Sequence, residues 1–186
     1  MPRSASNDSG NPDAIGGSER DVRRVSLAIR WLAVTALAVA LAVFYIFSAS
    51  AGELFGRVVK IADGDTLTIL DAGRHQHRIR LADIDAPEKK QPFGTRSRQS
   101  LAELCAGKTA DVQVYGLDRY GRTIGRVSCA GADANAEQVR RGMAWVFERY
   151  APKDSPLYAV QADARAGRRG LWQDFKPVPP WEWRRR

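Results

Sequence analysis

Four short stretches concentrate the side chains suited to act on a charged substrate: Asp63-Gly64-Asp65-Thr66, Arg80-Leu81-Ala82-Asp83-Ile84-Asp85-Ala86-Pro87-Glu88, Asp118-Arg119-Tyr120-Gly121-Arg122 and Val139-Arg140-Arg141-Gly142-Met143. Asp65 opens one expected strand and Asp85 closes the next. Antiparallel pairing through the turn at 71–74 sets the start of one opposite the end of the other. Two ionised carboxylates side by side repel unless a cation lies between them. Oxygen donors with no His or Cys nearby suit calcium or magnesium, not zinc. Glu88 follows Asp85 beyond a stiffening proline, where it can orient or deprotonate a water. Arg80 and Arg122 bring guanidinium forks, which match phosphate oxygens and stay charged at any working pH. Attack on a phosphodiester gathers negative charge on those oxygens, and two arginines with one divalent cation suit its stabilisation.

Each stretch alone has a plainer reading. Asp63-Gly64 and Gly121 are turn residues first, Asp85 to Glu88 is a strand end leading to a helix, and Arg80 is a solvated strand residue. Asp83 shares a strand face with Asp85 in this reading, so it adds charge near the ion or pairs with a surface arginine. Their joint occurrence, in this order, carries the hypothesis. Strict alternation would put Arg80 and Asp85 on opposite faces, so the strand must bend or end between them.

The elements needed to position these groups are legible. Strands are expected at Phe55–Ile61, Thr66–Leu70, His77–Ile84, Ala110–Tyr115 and Thr123–Cys129. A helix from Gly94 to Ala106 carries Leu101 and Leu104 at helical spacing and ends at Gly107. A second helix is expected to be capped by Asn135, and a third to begin at Ser155-Pro156 and run to Gly167. Three strands, a helix, two strands and two helices match a five-stranded Greek-key barrel of the OB type, an α+β arrangement that does not itself fix function.

The 186 residues suit one domain plus extensions, with 29 Lys and Arg against 21 Asp and Glu for a net +8. A hydrophobic fraction of 44% excludes a disordered chain, and 27% charged residues exclude a multi-spanning membrane protein. The basic balance points to anionic partners. Residues 1–24 read as a disordered tail. From Trp31 to Ser50 the chain is almost wholly apolar, after Arg20, Arg23, Arg24 and Arg30. The segment 25–51 is therefore an uncleaved membrane anchor, favoured by its length, or a signal peptide cut after Ala51 at Ala49-Ser50-Ala51. Either reading keeps the N-terminus in the cytoplasm and puts residues 53–175, the barrel domain, outside it, in the cell envelope or secreted.

From about Gly56 to Trp172 the chain resembles the staphylococcal nuclease-like (thermonuclease) family, on the motifs DGDT at 63–66, RLADIDAPE at 80–88, DRYGR at 118–122 and VRRGMAW at 139–145. The resemblance implies a calcium-dependent phosphodiesterase on an OB barrel acting on DNA and RNA. It places the calcium carboxylates on Asp65 and Asp85 and a backbone-carbonyl ligand on Ala86. It places the catalytic arginines on Arg80 and Arg122, the catalytic glutamate on Glu88, and tyrosines near the nucleotide on Tyr120 and Tyr150. Glu148 departs from the pattern, standing where the family has another tyrosine.

An exported domain meets oxidising conditions, so Cys105 and Cys129 are expected to pair. The tail 176–186, rich in Pro, Trp and Arg, is read either as tryptophans stapling the chain end onto the barrel or as a basic aromatic extension contacting nucleic acid. The functional expectation is an exported, monomeric calcium-dependent nuclease with DNA or RNA as substrate and, if the anchor is uncleaved, the membrane as a second partner. The alternative is a catalytically silent OB module that binds nucleic acid at the cell envelope.

Overall fold

The computed structural model describes residues 52–186. The tail expected at 1–24 and the apolar segment expected at 25–51 lie outside the described residues. Among the described residues no helix is long and apolar enough to cross a membrane.

Five strands build a barrel: β1 (Glu53–Ile61), β2 (Thr66–Leu70), β3 (Gln76–Leu81), β5 (Thr109–Leu117) and β6 (Thr123–Cys129). The first three form an antiparallel meander, with Val58 opposite Ile69 and Leu67 opposite Ile79. β1 also pairs with β5, and β5 with β6. Closure comes from a parallel pairing of β3 with β6, Ile79 opposite Thr123, which leaves these strands without a long free edge. Period-2 alternation sends Val58, Leu67, Ile69, Ile79, Leu81, Val112 and Val127 inward, all fully buried.

β3 is shorter than expected. It stops at Leu81, and the chain turns at Ala82-Asp83, where Asp83 adopts a left-handed φ of 64°. The next two residues form β4 (Ile84–Asp85), which leaves the barrel and pairs with β8 (Trp145–Val146). The bend required between Arg80 and Asp85 is therefore a chain reversal. It also removes Asp83 from any strand face shared with Asp85; the Asp83 backbone O accepts from Phe147 N at 2.8 Å.

Helix α1 (Gly94–Cys105) lays Leu101, Leu104 and Cys105 on the barrel. Cys105 forms a disulfide with Cys129 at the end of β6. Loop closure of this length constrains the unfolded chain by about 3 kcal/mol. A short β7 (Ala132–Asp133) leads into α2 (Ala134–Arg140). Its cap is Asp133, whose carboxylate accepts from Ala136 N, rather than the expected Asn135. Asn135 is buried instead, accepting from Val127 N and donating to Ala82 O, both at 2.9 Å. Helix α3 (Leu157–Ala166) starts one residue after Pro156, with Ser155 Oγ accepting from Leu157 N at 3.4 Å.

The chain end is packed, not free. A 3-10 turn (Gly170–Gln173) and α4 (Pro180–Trp183) follow α3. Trp145, Ala164, Leu171 and Trp172 make a second buried cluster, against which Phe93 and Trp181 pack.

Candidate active site

The site begins with the turn between β1 and β2. Asp63 Oδ1 accepts from Asp65 N at 3.1 Å, and Ala62 N donates to Thr66 O at 2.9 Å. A Cβ at Gly64 would lie 1.8 Å from Ser97 Oγ on α1, so only glycine lets the turn approach so closely. Gln138 Nε2, from α2, donates to Gly64 O at 2.6 Å. The turn that presents Asp65 is thus fastened to both helices. The fourth motif closes α2 and leads to Trp145, which pairs with Asp85 in β8 (Trp145–Val146).

The barrel register puts Asp65 O on Leu81 N at 2.8 Å, and the reversal at 82–83 brings Asp85 back beside it. Ala86 N donates to Asp65 Oδ2 at 2.7 Å. Arg80 joins the two aspartates. Its Nη2 is 2.9 Å from Asp85 Oδ1, and its Nη1 is 3.3 Å from Asp65 Oδ2. The same guanidinium donates to the carbonyls of Leu81 and Ile84, both at 2.8 Å, so it also clamps the reversal. Asp65 and Asp85 are only 5% and 2% exposed. Burial raises the Asp85 carboxyl above the usual carboxylate range, and the neighbouring Asp65 adds to it against the opposing pull of its arginine partners. Asp63 is pushed up to about 6, chiefly by burial and then by Asp65.

Glu88 lies on the rim. Its N–H donates to Gln91 Oε1 at 3.1 Å. Its carboxylate accepts from Arg184 Nη1 at 2.6 Å, and Arg184 Nη2 reaches Asp85 Oδ2 at 2.7 Å. Arg184 was legible in the sequence only as part of a basic tail. The available signal was local: Trp181 and Arg184 are three apart in a segment opened by two prolines, so they share one face of a short helix.

Arg122 is held elsewhere. Its Nε pairs with Asp118 Oδ2 at 2.7 Å, and Asp118 Oδ1 accepts from the backbone N–H groups of Tyr120 and Arg122. The guanidinium lies 5.7 Å from the centre of the Tyr120 ring. Among the described residues no hydrogen bond or ion pair joins Arg122 to Asp65, Asp85 or Glu88. The register nevertheless sets it next to Thr123, the partner of Ile79, on the strand adjoining Arg80. Tyr120 and Tyr150 are exposed, Tyr150 meeting the ring of Phe147 edge-on. The structure therefore brings together Asp65, Arg80, Asp85 and Ala86, attaches Glu88 through Arg184, leaves Arg122 and Tyr120 together on the Asp118 loop, and places Tyr150 apart from them against Phe147.

The donor types fit a hard cation: two buried carboxylates, with no His or Cys beside them among the described residues. Among the described residues no three Asp, Glu, His or Cys side chains cluster as a ready cage. An ion here would rest on two aspartates, carbonyl oxygen and water.

A family model described as "Staphylococcal nuclease homologue" matches residues 78–174. The chain belongs to the staphylococcal nuclease-like family. It is 47% identical over 147 residues to an "Uncharacterized endonuclease" of Escherichia coli O157:H7, covering 77% of this chain and 95% of that protein. It is 44% identical over 159 residues to a "Micrococcal nuclease" of Shigella flexneri, covering 80% and 91%. A "Protein ParB" of Escherichia coli is 40% identical over 166 residues, covering 84% and 93%. The closed five-stranded barrel with its helices agrees with this membership.

Proposed function

We propose that this chain is a calcium-dependent nuclease that hydrolyses phosphodiester bonds of DNA or RNA by attack of water. One observation carries the reading: two aspartates buried side by side, bridged by an arginine, open toward a glutamate on the rim. Even with its guanidinium partners the Asp85 carboxyl stays raised, chiefly by burial and further by Asp65, and perturbed buried carboxylates of this kind gather at functional sites. The family membership supplies the nuclease class.

In this reading Asp65, Asp85 and the Ala86 carbonyl would hold the ion, which when bound would supply positive charge and Lewis acidity. Arg80, already fixed by four hydrogen-bonding and ionic contacts, presents its charge to the phosphate without reorganisation. Glu88 accepts or orients the proton of the attacking water. Arg122 exchanges its Asp118 partner for a phosphate oxygen as charge develops, while Tyr120 and Tyr150 bound the nucleotide. The domain acts outside the cytoplasm, anchored by 25–51 or released by cleavage after Ala51, as a monomer. A mature N-terminus at Gly52 would decide for release.

A second reading, a barrel that binds nucleic acid without cutting it, is favoured by one feature: both Asp85 carboxylate oxygens already accept from guanidinium groups. Incubation of the full chain with DNA and with RNA, in calcium or in chelator, separates the two. Calcium-dependent cleavage is expected; binding without cleavage in either condition rejects the nuclease reading.

A further inference from the structure

The chain end lies nearly a hundred residues from Asp85 and Glu88, yet it is built into the site by three separate devices. Trp181 stacks on Phe147, with ring centres 5.2 Å apart and planes 11° from parallel, and meets Trp145 edge-on at 5.9 Å. Pro180 is buried. Gln91, itself 7% exposed, donates from Nε2 to Val178 O at 2.6 Å while its Oε1 accepts from Glu88 N. One buried side chain therefore ties the loop bearing Glu88 to the strand-like segment that leads into α4. Phe147 and Trp145 belong to the segment that pairs with Asp85, so the platform under Trp181 also supports the aspartate.

From this platform Arg184 reaches over the rim. Nη1 lies 2.6 Å from Glu88 Oε1 and 3.4 Å from Asp85 Oδ1, and Nη2 lies 2.7 Å from Asp85 Oδ2. A single planar group spans the buried aspartate and the exposed glutamate. Among the described residues the Glu88 carboxylate has no other hydrogen-bond partner. An isolated surface pair on two long side chains would fix little. This one is different, because one end is anchored on a carboxylate that cannot move and the backbone behind the arginine is clamped by stacked rings.

We propose that Arg184 is a positioning residue of the active centre, holding the Glu88 carboxylate beside Asp85 through one guanidinium bonded to both. It acts through Glu88 rather than on the phosphate, and the inference rests on the nuclease reading above. The planar fork is needed: a lysine ammonium is a point charge and cannot hold two carboxylates at a set separation.

The test uses the full chain at saturating calcium with a defined oligonucleotide. Loss of a residue that orients a catalytic group costs about tenfold or more, so Arg184→Ala is expected to lower kcat by about that factor with KM little changed. Arg184→Lys should recover only part of the loss. In a Glu88→Ala background the further change Arg184→Ala should have no effect. Amide exchange at Glu88 should quicken in Arg184→Ala while the barrel strands stay protected, a readout that needs no turnover. Trp181→Ala, which frees the strap without touching either charge, should reproduce the kcat loss. Turnover in Arg184→Ala equal to or above that of the unaltered chain would overturn the proposal and mark the arginine as idle or as a plug. So would an undiminished loss in the Glu88→Ala background. If the unaltered chain shows no calcium-dependent cleavage, the nuclease reading fails and takes this proposal with it; normal cleavage with an indifferent Arg184 sinks the proposal alone.

Discussion

The aspartate centre and the Asp118–Arg122 loop are both rich in Asp and Arg, but they are held in opposite ways. Asp65 and Asp85 are fixed by groups from other elements: Ala86 N, Arg80 at the end of β3, and Arg184 from the chain end. Asp118 is satisfied almost wholly by its own loop, through Tyr120 N, Arg122 N and Arg122 Nε. Those bonds hold its carboxyl below the usual range despite an opposing effect of burial. The first arrangement ties together the turn before β2, the end of β3 and the chain end. The second is confined to one loop, so the proposed exchange of Asp118 for a phosphate oxygen would involve that loop alone.

The sharpest break in this contrast is removal of a buried aspartate. Asp85→Ala should abolish calcium-dependent cleavage and also lower stability, because Arg80 then loses a carboxylate partner. Breaking a buried pair from one side costs about 3–5 kcal/mol. Denaturant unfolding alongside the cleavage assay measures both effects; an Asp85→Ala chain that cleaves normally would remove this residue from the site. Arg122→Ala should separate them. Loss of a donor to the transition state lowers turnover by about two to three orders of magnitude, or about 3–4 kcal/mol, whereas the unfolding midpoint should barely move. A large loss of stability in Arg122→Ala would mean the loop is as integral as the centre.

Support for the centre from behind is tested at Asn135. Its side chain satisfies both Val127 N in the barrel and Ala82 O in the reversal that carries Asp85. Leaving buried partners unpaired costs about 1–3 kcal/mol each, so Asn135→Ala should destabilise by that order. Urea unfolding gives the number, and a change below about 0.5 kcal/mol, the usual range of surface substitutions, would show that the reversal needs no such support.

How much of this was legible follows the same division. The barrel strands could be read because β propensity over Phe55–Ile61 and near-alternation over Thr66–Leu70 are local properties. So could α1, expected to end one residue later than it does. The cysteine pair was legible from its even number and the expected export. The reversal at Ala82-Asp83 was legible only as a requirement, since positive φ at an aspartate leaves no pattern behind. Asn135 looked like a cap because its type fits one; Asp133 occupies that position, and the burial of Asn135 depends on partners 8 and 53 residues away. The pairing of Arg184 was out of reach for the same reason: its carboxylate partners lie 96 and 99 residues distant in the chain. Side chains whose role is set by neighbours in sequence declare themselves; those set by topology do not.

The hairpin between β2 and β3 offers a gentler version of the loop arrangement, away from the site. Asp71 Oδ1 accepts from His75 N at 2.8 Å, and its Oδ2 lies 2.8 Å from His77 Nε2. Hydrogen bonding from His77, then from His75 N, lowers the carboxyl to about 2. A depressed carboxyl stabilises the folded state above its unfolded value of about 3.9, and that contribution fades as pH falls through about 2. Asp71→Asn should therefore be slightly less stable than the unaltered chain at pH 5, with the difference closing between pH 4 and pH 2. Thermal unfolding across that window reads it. The group lies on a surface hairpin away from the core, so the effect should be the smallest of those argued, and a difference that stays constant to pH 2 would assign the hairpin's stability to its backbone turn instead of its charge.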